Sequence, residues 1–231
     1  MEVLISSVKT LAGIDNLMII EELAWESPGE NVSASRAKIL GRIKSGQCIS
    51  IATCAGKPVG SQYAFRFNWD GDIKNLGSWD EHTADGWTEK VHVPNGNTGF
   101  LVGVGVIPEF RGFKVEHNLK YLRDIKVSEL LIAYTIMRLM FNHGGDGSVK
   151  RIIGNARVPF YRLHPELSIN DYCNLRRDDG KLFDPVLRFH EKMGAIILKP
   201  CEFSMDDSES LNAGCWIEYN YDKKIGLPLR I

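Results

Sequence analysis

The sequence predicts an α/β domain in which a mixed sheet carries helices on its faces, and three stretches support this. The apolar run GFLVGVGV reads as a strand, and after the break IPEFRGF it passes into residues whose apolar side chains recur at helical spacing from Val127 onward. Two strand-like runs, Cys48 to Ala55 and Val59 to Phe67, are separated by GKP, a hairpin connection. A helix from Asp184 to Met193, stopped at Gly194, leads into the closing strands AIILKP and GCWIEYNY.

Taken in order, Leu17, Ile20, Leu23 and Ala24 give Asp15 to Trp25 an apolar helical face entered at Asp15 or Asn16. Ala34, Ile39, Leu40 and Ile43 do the same for a helix from Ser35 to Ile43. The hairpin follows. From Asn68 to Gly99 the chain is rich in Gly, Asp, Asn and Trp with little periodicity, which predicts a long ordered loop. It leads into the strand Phe100 to Ile107. Val127, Leu130, Leu131, Tyr134, Met137 and Phe141 then form one face of a helix ended by Gly144-Gly145. Val149 to Gly154 is expected as a short buried strand. The resulting order suits a mixed sheet covered by helices.

A chain of 231 residues with 44% hydrophobic content can bury a full core, and a single domain over residues 1–231 is expected. Lys and Arg number 28 against 29 Asp and Glu, so no polybasic field exists to gather nucleic acid or anionic lipid, and neither partner is expected. Cys48, Cys54, Cys173, Cys201 and Cys215 are scattered without a CxxC pair, which argues against a disulfide framework and for a reducing compartment. No apolar run approaches the roughly 18 residues of a membrane span, and the N-terminal stretch is interrupted by Glu2, Lys9 and Asp15. A cytoplasmic location is therefore expected. The terminal segments MEVLISS and GLPLRI are short enough to be joints to neighbouring domains, and an excised module is one expectation.

The strand, the Arg111-Gly112 turn and the following helix N-terminus together make a candidate anion site. Free backbone N–H groups and the helix dipole there would face a pyrophosphate. By contrast, SWDEHTADGW brings Asp80, Glu81, His82 and Asp85 together without zinc spacing. Local hydrogen bonding is the expected use, and no metal is expected. Trp79 and Trp87 are expected to pack that loop on the sheet. Asp178-Asp179 and Asp206-Asp207 read as solvated turns.

The order of elements, with a long central strand running into PEFRG and a helix, resembles the GNAT acyltransferase superfamily. The runs SWDEHTADGW, HVPNGNTGFLVGVGVIPEFRG, ARVPFY, DPVLRFHEKMGA and CWIEYNY are similar to the GNAT-type domains that open polyketide assembly lines. The resemblance covers roughly Ser35 to Tyr221. It implies a mixed, mostly antiparallel sheet with splayed central strands that admit the pantetheine arm of an acyl-CoA. It also implies malonyl-CoA or acetyl-CoA as substrate, an acyl carrier protein as acceptor, and neighbouring polyketide synthase domains as partners. The backbone around Val104 and Val106 would contact the pantetheine, and Arg111, Gly112, Lys126 and Ser128 the phosphates. His190, in RFHEKMGA, matches the motif histidine of the substrate tunnel. There it would donate to the thioester oxygen and assist thiol deprotonation.

Two departures qualify the resemblance. Decarboxylating relatives pair the histidine with a hydroxyl residue and an arginine; here Asn155 or Ala156 stands at the first position and Ser204 or Met205 at the second. Asn155 can still donate a hydrogen bond. The phosphate turn lacks its further glycines, because Arg111-Gly112 is followed by FKVEHNLKYLRDIKVSELL. Lys126, Val127 and Ser128 would then supply N–H groups, and Lys114, Lys120, Arg123 and Lys126 the charge. Tyr161 is a candidate proton donor by analogy with amine acetyltransferases, set against a partly buried aromatic bonded to the backbone. Three activities remain open: acyl-CoA decarboxylation or transfer to a carrier-protein thiol, a degenerate GNAT module with a structural role, and small-amine N-acetylation.

Overall fold

The computed structural model describes residues 2–25, 32–115, 124–141 and 149–221. The expected helix stop at Gly144-Gly145, the candidate cations Lys120 and Arg123, and the segment GLPLRI lie outside these residues. The strands are β1 (Leu4–Ser7), β2 (Cys48–Cys54), β3 (Lys57–Phe67), β4 (Thr98–Val106), β5 (Arg151–Arg157), β6 (Ala195–Cys201) and β7 (Gly214–Tyr219). The helices are α1 (Ile14–Ala24), α2 (Arg36–Lys44), α3 (Trp79–Thr83), α4 (Val127–Phe141), α5 (Ile169–Asn174) and α6 (Pro185–Lys192). Sheet order among the described residues is β1-β2-β3-β4-β5-β7-β6. Every neighbouring pair is antiparallel except β4 with β5.

Local chemistry sets the element ends. Ser35 caps α2 by accepting from the Lys38 N–H, and Asp184 caps α6 by accepting from Val186 and Leu187 at 2.8 and 2.9 Å. The turn between β2 and β3 places Ala55 and Gly56 at positive φ. Two elements depart from the sequence expectation. Leu4–Ser7, read as a joint, is an edge strand paired with β2, and the six-residue helix α5 forms behind the N-cap Ser168. The 68–97 stretch is an ordered connection that includes α3.

The sheet is covered on both faces. On one, α4 buries Ile132, Ile136 and Leu139 against Ala64, Leu101 and Ile152, and Leu131 against Ala52, Val59 and Val106, while α6 adds Leu187. Each fully buried aliphatic side chain of this kind contributes about 1.5–3 kcal/mol. On the other face, Leu17, Ile20 and Ile39 of α1 and α2 pack on Ile49, Ile51 and Tyr63. Beside them, Phe65, Phe67, Phe100 and Trp216 pack with Trp69 and Leu76 of the 68–97 segment.

The consequence for function lies in the middle of the sheet. β4 and β5 pair only from Thr98 with Arg151 to Leu101 with Gly154. At the same level β4 carries an extra residue against β3: Ala64 faces Leu101 and Tyr63 faces Gly103, leaving Val102 as a bulge. A bulge bends its strand and increases its twist. Beyond it the two strands part, so the edge of β4 from Gly103 to Val106 that faces β5 has no ladder partner among the described residues.

Candidate functional site

The gap between the parted strands opens a cavity of about 650 Å³ that reaches both faces of the sheet. Val104, Val106, Arg111, Gly112, Lys126, Ser128, Asn155 and His190 all line it. The chain thus brings together side chains drawn from two helices, two strands and a turn.

On the α6 side the wall is largely apolar, with Leu101, Ile132, Val186, Phe189 and Ile217. His190 enters here, its ring 4.8 Å from that of Phe189. Its Nδ1 lies 2.6 Å from the hydroxyl of Tyr219, a buried residue of β7 that sequence reasoning did not single out. Burial pushes the His190 pKa down to about 4, which keeps the imidazole neutral at physiological pH, and the same cause raises the Tyr219 phenol above its ordinary range.

Asn155 occupies the first position of β5 beyond its pairing with β4, at the apex of the gap. Its Oδ1 accepts from Ser204 Oγ at 2.9 Å, while Nδ2 is buried without a hydrogen bond among the described residues. Asn155 and Ser204, each one of two residues that the resemblance leaves for a departed position, are therefore in contact with each other. Arg157, two residues on, is held by Asp207 at 2.6 Å and Glu209 at 3.2 Å.

The wall on the α1 and α2 side is polar. Glu21 accepts from the Ala34 N–H at 2.6 Å, and burial raises its carboxyl pKa in spite of the nearby Arg42 guanidinium. Arg42 stacks over the Tyr63 ring at 4.7 Å and donates to the Gly86 carbonyl. Asp80 and Asp206 also line the cavity, and burial together with the repulsion of Asp85 and Asp206 raises the pKa of Asp80. Trp25 lies across β4, 3.7 Å from where a Cβ on Gly103 would stand and 3.1 Å from one on Gly105. The glycines of GVGV thus make room for an indole on that wall.

At the phosphate turn, Gly112 has φ +84°, and a Cβ there would meet nothing within 4 Å. The Arg111 guanidinium does not stand free to contact phosphate as expected: Nε donates to the Val106 carbonyl at 3.0 Å and Nη2 to the Ala24 carbonyl at 2.8 Å. The N–H of Lys126 is likewise engaged, by Glu129 Oε2 at 3.2 Å, and Glu129 pairs with Lys192. The chain after Gly112 returns to the helix start, because Lys114 bridges to Lys126 and Val115 N–H donates to the Ile125 carbonyl. Lys114 pairs with Asp124 at 2.7 Å.

Tyr161 donates to the Leu167 carbonyl at 2.9 Å and does not line the cavity, which matches the backbone-bonded aromatic. In SWDEHTADGW, Ser78 and Glu81 form a capping box, and His82 Nε2 accepts from the Gly77 N–H. No group of three or more metal-ligating side chains occurs among the described residues. No helix among them is long and apolar enough to cross a membrane.

No family model matches the sequence. A curated relative, the uncharacterized N-acetyltransferase YkwB of Bacillus subtilis, is 28% identical over 172 residues, covering 73% of this chain and 67% of the relative. The loading GNATL domain of CurA from Lyngbya majuscula superposes with a TM-score of 0.72 at 20% identity, over 97% of this chain and 99% of that one. The GphF GNAT-like decarboxylase, solved with isobutyryl-CoA, gives 0.68 at 24% identity over 93% of this chain and 97% of its own. Malonyl-CoA decarboxylase from Agrobacterium vitis gives 0.67 at 13% identity over 96% of this chain and 61% of its own. The chain has the GNAT fold, with the mixed, mostly antiparallel sheet and parted central strands that the sequence resemblance implied.

Proposed function

We propose that this domain binds an acyl-CoA in the gap between β4 and β5 and acts on its thioester, passing the acyl group to the thiol of an acyl carrier protein. The observation that carries this reading is His190, a neutral imidazole in an apolar wall of the cavity, held by the Tyr219 hydroxyl at 2.6 Å. Thioester chemistry places negative charge on the carbonyl oxygen, in a tetrahedral intermediate or in the enolate left by loss of CO2. An N–H donor in a dry site stabilises that charge best. The open edge of β4 at Val104 and Val106 would pair with the pantetheine amides. Lys126, Ser128 and the Gly112 turn would meet the diphosphate.

Acetyl-CoA or a similar uncharged acyl-CoA suits the site better than malonyl-CoA. By the resemblance Ser204 or Met205 stands where relatives carry an arginine, Ser204 is bonded to Asn155, and Arg157 is already paired with two carboxylates. The similarity to a loading GNATL domain and to a GNAT-like decarboxylase supports a carrier-protein context within a polyketide synthase, and keeps decarboxylation as the variant to test. Small-amine N-acetylation is the second reading. It is favoured by Glu21, Asp80 and Asp206 on the polar wall and by the name of the YkwB relative. The degenerate-module reading has the altered phosphate turn in its favour and the open cavity against it.

Mass spectrometry of a carrier protein incubated with this domain and acetyl-CoA or malonyl-CoA separates the readings. Loading that is lost in His190→Ala supports the proposal, and the mass added from malonyl-CoA reports whether CO2 leaves. CoA release that needs a small amine and no carrier protein favours the second reading. Failure to bind either acyl-CoA assigns the domain a structural role.

A further inference from the structure

We infer that Tyr219 is a positioning residue that holds His190 in the Nε2–H tautomer, so that the imidazole meets the cavity as a hydrogen-bond donor and not as a base. Its mechanistic consequence rests on the reading of His190 as the thioester contact, although the tautomer itself does not.

The argument starts from the hydroxyl. Tyr219 is 2% exposed, on the last residue of β7, and its ring meets that of His190 edge-on at 5.9 Å. Among the described residues its oxygen makes one hydrogen bond, the 2.6 Å contact with His190 Nδ1. A short O–H···N bond of this kind has two possible directions. If Nδ1–H were the donor, the phenol hydrogen would be buried facing no acceptor among the described residues, whereas an O–H that donates to Nδ1 satisfies both atoms. The imidazole then accepts at Nδ1. On a cavity wall shared with Val186, Phe189 and Ile217, it is kept uncharged by desolvation, so its single proton must sit on Nε2.

The backbone makes the pairing durable. Tyr219 is paired with Ala195 of β6, and the Asn220 N–H donates to the Gly194 carbonyl directly after α6. The end of β7 is thus tied to the chain that leaves α6, directly beside the side-chain contact. Asp184 anchors the other end of α6 through its cap and through Tyr172, whose hydroxyl donates to Oδ2 at 2.8 Å. His190 therefore has little freedom to turn its ring.

The chemical consequence is a division of labour. With Nδ1 occupied and Nε2 protonated, His190 has no lone pair for the incoming thiol, so the thiol deprotonation expected from the sequence is not its task. In acyl transfer the new S–C bond forms first, giving a tetrahedral intermediate with its charge on oxygen, and the CoA S–C bond breaks as that intermediate collapses. The thiol's proton ends on the departing CoA thiolate through solvent, and His190 donates throughout to the carbonyl oxygen.

Nitrogen-15 spectra of histidine-labelled protein test the tautomer at pH 7 without any substrate, with the His190 signals assigned by their absence from His190→Gln. A pyrrole-type Nε2 and a pyridine-type Nδ1, with that pattern disturbed in Tyr219→Phe, are expected; a protonated Nδ1 in the wild type overturns the inference. Kinetics add the mechanistic test. Tyr219→Phe should lower kcat roughly tenfold with little change in KM, and His190→Gln, which keeps an N–H but offers no base, should retain far more turnover than His190→Ala. Equal losses in Gln and Ala variants would overturn the donor role. The expected tautomer in a domain that binds no acyl-CoA would leave the inference standing and remove the proposed function.

Discussion

Ser204 Oγ donates to Asn155 Oδ1 across 2.9 Å, and the pair exists because residue 214 is glycine. A Cβ at Gly214 would stand 2.4 Å from Asn155 Oδ1 and 2.7 Å from Ser204 Oγ. Both atoms belong to buried side chains held by strand or backbone bonds, so neither can retreat easily. Gly214→Ala is therefore expected to displace the Asn155 amide from the apex of the gap. Overpacking of this kind costs about 1–3 kcal/mol, readable by urea denaturation. A larger loss of acyl-CoA turnover than of stability would mark the amide as part of the site, and an unchanged protein would remove the argument.

His190 predicts a pH dependence. Its ordinary value near 6.5 falls to about 4 in the fold, so between those values the unfolded chain takes up a proton that the folded chain refuses. Stability should be unaffected by this group above about pH 6.5, decline as pH falls toward about 4, and level off below. At about 1.4 kcal/mol per pH unit the loss is on the order of 3 kcal/mol. Comparing urea midpoints of wild type and His190→Gln from pH 7 to 4 isolates it. Parallel curves would refute the assignment.

Asp184 bears on the same helix from its other end. Its carboxylate is 1% exposed, caps α6 through two N–H groups and accepts from Tyr172, and burial raises its pKa despite these bonds. Asp184→Ala removes the cap and strands the Tyr172 hydroxyl, with an expected cost of about 2–3 kcal/mol. Asp184→Asn keeps the acceptor for the N–H groups and should recover part of it. Thermal unfolding of the two variants checks the order.

The sequence made the sheet readable where apolar periodicity was long. The start of α4 at Val127 and the hairpin of β2 and β3 follow directly from side-chain spacing. β1 and α5 escaped because four residues and six residues carry too few turns of pattern to stand above background. Val104, Val106, Arg111, Gly112, Lys126, Ser128, Asn155 and His190 line one cavity, whereas Tyr161 does not, and the partners of these residues did not announce themselves. Tyr219 meets His190 across 29 positions, and Ser204 meets Asn155 across 49, through strand pairings that no local spacing encodes. Arg111 is instructive in the opposite sense: its place in the turn was legible, whereas the carbonyls that hold its guanidinium lie in β4 and at the far end of α1.

That arginine gives the last prediction. By donating to the Val106 and Ala24 carbonyls, Arg111 ties the end of the central strand to the C-terminus of α1, where a cation also faces the negative end of the helix dipole. Arg111→Met should cost about 1–3 kcal/mol in denaturation, because two bonds to carbonyls are lost together with the charge. CoA affinity, measured by calorimetry, should fall only through this loosening. A change within about fivefold is expected, since one bidentate phosphate contact would be worth considerably more. A loss of CoA binding without loss of stability would return Arg111 to the phosphate site that its sequence position suggested.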